Sequence, residues 1–306
     1  MPADAKTMKR TEMFDRIVHG MTAASSKKAA MPHRVRRSGV LALACSLAGF
    51  LAAQAFAAPA DTSALLALRL TPNTHIVAAR TAIHVVSYDM NHTLMSLLGS
   101  RAAPTTLIDA RTTTIDVVPD SGHIKEDATS TRRYGGDSPK DKSVVTRHDH
   151  YEGSISDSGV RVPAVDRLAD AGDGALDELP SKPLHIGQSW SFTRPVSVER
   201  SLGQGTMTYT DTLTALADRN GHEIAAIAVS GTGIAQPASD LQAKGFHQAS
   251  FALHGNAEFD VTAGLPGTQH YDALVEWDAR VMFTKIGIKF ADTYDASPWT
   301  VATPHP

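Results

Sequence analysis

The sequence predicts a mainly β domain, a curved antiparallel meander sheet or half-barrel with one or two short helices. Three observations predict it. From Gln248 to Val261 the odd positions are Ala249, Phe251, Leu253, Gly255, Ala257, Phe259 and Val261, and the even ones are mostly polar. Tyr271, Ala273, Val275, Trp277, Ala279, Val281 and Phe283 repeat that alternation between His270, Asp272, Glu276, Asp278 and Arg280. Successive side chains of a strand point to opposite faces, so each stretch is a strand with one oily and one wet side. Finally, only Asn91–Leu98 and Val165–Leu176 have helical spacing, and both are short.

In chain order, residues 1–30 carry no hydrophobic periodicity and are read as a disordered leader or the product of a start upstream of Met31. From Met31 to Ala57 comes a basic stretch (His33, Arg34, Arg36, Arg37), an apolar run from Val40 to Phe56, and Ala55 and Ala57 flanking Phe56. These are the three parts of a secretory signal peptide, with cleavage expected after Ala57 and the mature protein expected in the periplasm or secreted. A membrane anchor needs about 20 apolar residues, and this run is shorter and broken by Gly49 and Gln54. Lipidation at Cys45 is set aside, because Ala42 stands where the lipoprotein box favours Leu and an apolar run follows the cysteine instead of a polar tether. The mature chain then has no cysteine and no transmembrane segment, so its stability must come from packing without disulfides. Cleavage removes nine of 29 basic and three of 32 acidic groups, leaving a net charge near −9. That balance argues against nucleic acid or an anionic membrane as partner.

Residues 62–296 read as one β-rich domain, with residues 297–306 as a loose tail apart from Trp299. Strands are expected around Ile76–Tyr88, around Leu107–Val118 before a turn at Asp120, Ser121 and Gly122, over Ile186–Val198, and around Ile286–Phe290. The stretch Ser130–Ser143, with Gly135, Gly136 and Pro139, reads as a mobile loop. A hairpin turns at Asp218-Arg219-Asn220-Gly221. A type I turn with a bulge at Gly221 would set Leu213 opposite Ile227 and put Met207, Tyr209, Ala215, Ile227 and Val229 on one face. The two-residue reading of Asn220-Gly221 would set Leu213 opposite Ala228 and scatter the apolar side chains, so the register favours the bulge. Thr206, Thr208, Thr210, Thr212 and Thr214 line the other side, a solvent-facing strand surface. A second hairpin turns at Gly264-Leu265-Pro266-Gly267 and pairs the two long alternating strands. Strands of about 14 residues exceed the usual length, so they must coil or bulge.

Leu179, Pro180, Ser181, Lys182, Pro183, Leu184, His185, Ile186, Gly187, Gln188, Ser189 and Trp190 resemble the LP-x-KP-x-x-x-G-x-x-W segment of exported bacterial proteins of unknown function. The resemblance implies a fold similar to periplasmic lipoprotein carriers, a half-barrel around an apolar groove. It covers some 12 residues in motif and implies no chemistry.

Catalytic and metal patterns fail on spacing. His148 and His150 would share one face of an extended segment, but no third ligand is spaced to join them. His222-Glu223 opens H-E-x-x-H, yet Ala226 closes it and the segment reads as strand. Asp170, Asp173, Asp177 and Glu178 do not follow the calcium-loop pattern. Asp272 and Glu276 fall on a wet strand face, where carboxylates serve solubility more often than acid–base work. No cofactor, metal site or catalytic residue is expected.

The functional expectation is a non-enzymatic exported protein. It would bind a lipid, another apolar or amphipathic ligand, or an envelope component on the dry face formed by Phe251, Leu253, Phe259, Tyr271, Val275, Trp277 and Phe283. The alternatives are a structural or interaction module of the cell envelope with a fully packed core, working through its Thr-rich edge or loops, and, behind it, a hydrolase whose site is assembled from distant residues.

Overall fold

The computed structural model describes residues 63–89, 105–118, 123–135, 144–162, 176, 178–198, 202–243, 245–281 and 284–302. Within them extended backbone dominates, and the mainly β antiparallel meander expected from the sequence is the architecture observed. The leader, the signal segment with Ala55, Ala57 and Cys45, the helical stretch Asn91–Leu98, the stretch Val165–Leu176 save Leu176 itself, the turn at Asp120-Ser121-Gly122, and Phe283 lie outside the described residues.

After β1 (Ser63–Ala64), a first run of strands pairs each with the next: β2 (His75–Asp89), β3 (Thr105–Val117), β4 (His123–Gly135), β5 (Val145–Ile155) and β6 (Arg161–Val162). Following β7 (Leu184–His185), a second run comprises β8 (Ser189–Val198), β9 (Gly203–Arg219), β10 (His222–Pro237), β11 (Phe246–Asp260), β12 (Leu265–Val281) and β13 (Thr284–Ala296). β13 pairs antiparallel with β2, from Gly287↔Asp89 to Ala296↔Arg80, and this seam joins both runs into one sheet ordered β6-β5-β4-β3-β2-β13-β12-β11-β10-β9-β8. β14 (Thr300–Ala302) continues beside β2 where β13 stops. The sheet does not close, since β6 and β8 stand at its two ends. β1 and β7 pair separately, and the residues around them bury Leu66, Leu68, Leu179 and Leu184.

Alternation decides which side of each strand is covered. Along β11 from Ala249 to Phe259 the odd side chains are buried and most even ones exposed, as the oily and wet positions require. β9 and β12 reach 17 residues, and the predicted irregularities are present, with register shifts at Ala226/Ile227, Phe246/Ala249 and Ala257/Phe259. Bulges of this kind let a long ladder twist without straining every pair.

Several expectations need correction. The hairpin between β9 and β10 turns on two residues: Asn220 (φ 58°) and Gly221 (φ 83°) both take the left-handed region, and Arg219 pairs with His222. Such a turn matches the right-handed twist of the flanking strands, whereas a type I turn splays them. Leu213 does face Ile227, because the extra residue sits further along, at Thr214 between the Ala215↔Ala226 and Leu213↔Ile227 pairs. That displaced bulge also turns Ala215 outward, off the face shared by Met207, Tyr209 and Leu213. At the other hairpin the turn is Val261–Gly264, so Pro266 and Gly267 already belong to β12.

β4 runs to Gly135 through residues expected to be a loop, and β13 runs to Ala296, well past Phe290. In both, charged residues interrupt the inward row (Glu126 and Arg132 beside Ile124 and Ala128 in β4, Asp292 before Tyr294 in β13), so no regular oily alternation announces the strand. The tail is not wholly loose: β14 pairs with β2, and the Trp299 amide donates to the Pro266 carbonyl at 3.0 Å. One five-residue helix, α1 (Ser239–Ala243), bridges β10 and β11 where none was expected, burying Leu241.

Candidate functional site

The covered face of the sheet has two chemically different halves. On β11 and β12, Phe251, Leu253, Phe259, Tyr271, Val275 and Trp277 are between 0 and 5% exposed. Register explains their proximity, since Phe251 faces Val275, which faces Phe290 on β13, while Ala249 faces Trp277, which faces Ile288. Trp277 meets Phe246 and Phe290 edge-on, with ring centres 5.8 and 6.4 Å away. Its indole Nε1 is buried without a hydrogen-bond partner among the described residues.

The other half, on β2, β3, β4 and β13, sets a group of charged side chains among apolar ones such as Ile76, Ile115 and Ile124, and the sequence reading of a uniformly dry face missed those charges. Arg132 holds Asp109 through both guanidinium and carboxylate arms, with Nε donating to Oδ1 at 2.5 Å and Nη2 to Oδ2. His84, 3% exposed, stands between two carboxylates, its Nε2 3.6 Å from Asp109 Oδ2 and its Nδ1 3.0 Å from Asp292 Oδ1. The Tyr294 hydroxyl donates to Asp292 Oδ2 at 3.2 Å, and the Arg80 guanidinium lies over the Tyr294 ring at 5.8 Å. Burial works to raise the Asp109 carboxyl, but the Arg132 and His84 contacts outweigh it and hold the group far below the usual range. Nearby, Glu126 accepts from Arg161 Nε at 3.2 Å and Nη2 at 3.0 Å, with Arg111 Nη2 3.6 Å away. Arg132 and Arg161 thus each face a carboxylate, while the charge around His84 depends on whether its imidazole is protonated.

Asp211 breaks the pattern of the dry half. It lies on β9 between Tyr209 and Leu213, opposite Trp190 on β8 and Val229 on β10. Its side chain is 0% exposed, and neither carboxylate oxygen has a hydrogen-bond partner among the described residues. Burial alone pushes its pKa up to about 7. The sequence did carry the signal: one acid in an otherwise oily odd-numbered row, hidden beside the conspicuous threonine stripe.

Other sequence candidates find ordinary partners. His148 and His150 do share one face of β5, where the His148 ring is 3.1 Å from Thr129 Oγ1 and the His150 ring 2.8 Å from Asp127 Oδ1. His222 begins β10 against Asp260 at 2.7 Å. Asp272 and Glu276 are on the outer side as expected, Asp272 accepting from Thr293 and Glu276 pairing with Lys289. Asp170, Asp173 and Asp177 lie outside the described residues. The threonine stripe of β9 meets β8 in hydroxyl pairs, Ser189 with Thr212, Ser191 with Thr210 and Thr193 with Thr208, at 2.8 to 3.0 Å.

The proline-rich segment before β8 shows local roles. Gly187 adopts φ 88°, and its amide donates to the Leu213 carbonyl while Leu213 donates back to Gln188. Trp190 Nε1 donates to the Glu178 carbonyl at 2.8 Å. The segment is therefore stitched to β9 and packed by Leu179 and Leu184.

No family model matches the chain, and no curated protein does. Among solved structures, a lipovitellin structure concerned with lipid–protein interactions is similar to 78% of this chain at 11% identity and a TM-score of 0.40. The match spans 26% of that lipovitellin chain. An outer membrane channel from Pseudomonas putida F1 is similar to 79% of this chain and 99% of its own, at 8% identity and a TM-score of 0.23. At these scores neither likeness bears on what this chain does.

Proposed function

We propose that this is a non-enzymatic exported protein that binds an apolar or amphipathic ligand along the dry half of its sheet. The supporting observation is the continuous band from Phe251 and Leu253 through Val275 and Trp277 to Ile288 and Phe290, carried by a sheet with two open ends. Among the described residues one five-residue helix is the only helical cover for that band. An apolar band of this extent offers an apolar molecule a surface to bind. Export rests on the three-part segment over residues 31–57, which places the ligand among molecules of the cell envelope.

A packed structural module is the second reading, and the near-complete burial of the six aromatic and aliphatic side chains favours it. Extraction of protein purified from its own host, followed by mass spectrometry for lipids, separates the two. A stoichiometric apolar molecule supports the carrier, and its absence at high protein loading leaves the module. N-terminal sequencing of the exported protein should find Ala58 first, and a chain retained from Met1 or Met31 would end the export proposal.

A further inference from the structure

Asp211 is hard to account for as a structural residue. Burying a polar group without a hydrogen bond is unfavourable, and burying a charged one is far more so. Among the described residues, the other buried acid of this sheet, Glu126, has Arg161 beside it, and half-buried Asp109 has Arg132. Of the described acids on β8 to β12, Asp211 alone is buried, and nothing charged compensates it.

Resting on the ligand-binding reading above, we propose that Asp211 receives the positively charged nitrogen of the ligand, so that the ligand class is a cationic amphiphile: an apolar chain ending in an amine. Three features support the pairing. The carboxylate points into an apolar surface, where an ammonium supplies both the missing counter-charge and up to three hydrogen-bond donors. Aromatic residues neighbour the position in register, with Trp190 as cross-strand partner, Tyr209 two residues before, and Phe192 stacked on Tyr209 at 5.0 Å. Ring faces attract cations, and the Phe192 ring already has the Arg194 guanidinium 5.7 Å from its centre. The position is also near one end of the sheet, since β9 pairs directly with the terminal strand β8.

Binding is selective by charge. A carboxylate-terminated amphiphile brings like charge to a buried acid, and an alcohol brings one donor and no charge, so both lose to the amine of equal chain length. The preference strengthens as pH rises through about 7, where Asp211 ionises while the amine remains protonated.

The test uses the purified mature protein at pH 8 with dodecylamine, dodecanol and dodecanoate below their aggregation limits, reading tryptophan fluorescence and calorimetry. The expected result is at least tenfold tighter binding of the amine, a preference that disappears in Asp211→Asn while dodecanol binding is retained. Circular dichroism and urea unfolding confirm that the variant is folded. If all three amphiphiles bind alike, or if the variant keeps the preference, the assignment to Asp211 is overturned while apolar binding stands. If none binds, the ligand-binding reading itself is overturned.

Discussion

Replacing Asp211 by Asn tests the physical basis of the site without any ligand. In the folded chain burial moves the Asp211 carboxyl from 3.8 to about 7. Below pH 3.8 the group is protonated folded or unfolded, and its ionisation favours neither state. Between those limits only the unfolded chain releases the proton, so folding stability falls as pH rises, and above pH 7 the loss is complete. A difference of about three pH units at ~1.4 kcal/mol each gives a loss of about 4 kcal/mol. Asn keeps the shape and polarity of the side chain but cannot ionise. Urea unfolding of both proteins from pH 4 to pH 8.5 measures the effect as the gap between two stability curves, which cancels every other titrating group. The gap should widen in favour of Asp211→Asn as pH rises and level off above pH 7. Curves that stay parallel would refute the claim that Asp211 is buried and unpaired, and with it the anchoring role.

Three further outcomes follow from the packing. Arg132→Met strands the Asp109 carboxylate in the covered face and should destabilise by about 3–5 kcal/mol in urea melts, with a compensating Asp109→Leu recovering most of the loss. Trp277→Ala should cost about 3–5 kcal/mol, since the indole is 1% exposed and its removal leaves a cavity between Phe246 and Phe290. Gly205→Ala would place a Cβ 1.9 Å from the Ile234 carbonyl oxygen, so the β9–β10 ladder must shift. A loss of about 1–3 kcal/mol in thermal unfolding is expected, and an unchanged midpoint would show that the strands are not so closely apposed.

The oily strands were legible because burial and hydrophobicity coincide there: β11 and β12 announce themselves through Phe251, Leu253, Val275 and Trp277. The Leu213–Ile227 register was legible for the same reason, although the turn producing it was not. Asn220 and Gly221 together favour a two-residue turn, but side-chain alternation could not locate the compensating bulge at Thr214. β4 and the far half of β13 were hidden because Glu126, Arg132 and Asp292 interrupt their inward rows with charges that become tolerable only beside partners distant in sequence. Such pairing is a property of the assembled sheet and leaves no periodic trace. The charged group was therefore illegible although β2 and β3 were expected, whereas Asp211 stood in plain sight as an exception within a readable row.

The seam between β2 and β13 sets a timetable for the chain. Each run of hairpins can zip locally, neighbour by neighbour, but Tyr294 must find Ala82 across some 200 residues before the two runs become one sheet. Non-local pairing of this kind is slow. A protein emerging N-terminus first therefore exposes β2 as a bare strand edge until its final strands arrive, and a chaperone that shields such edges would matter most in that interval.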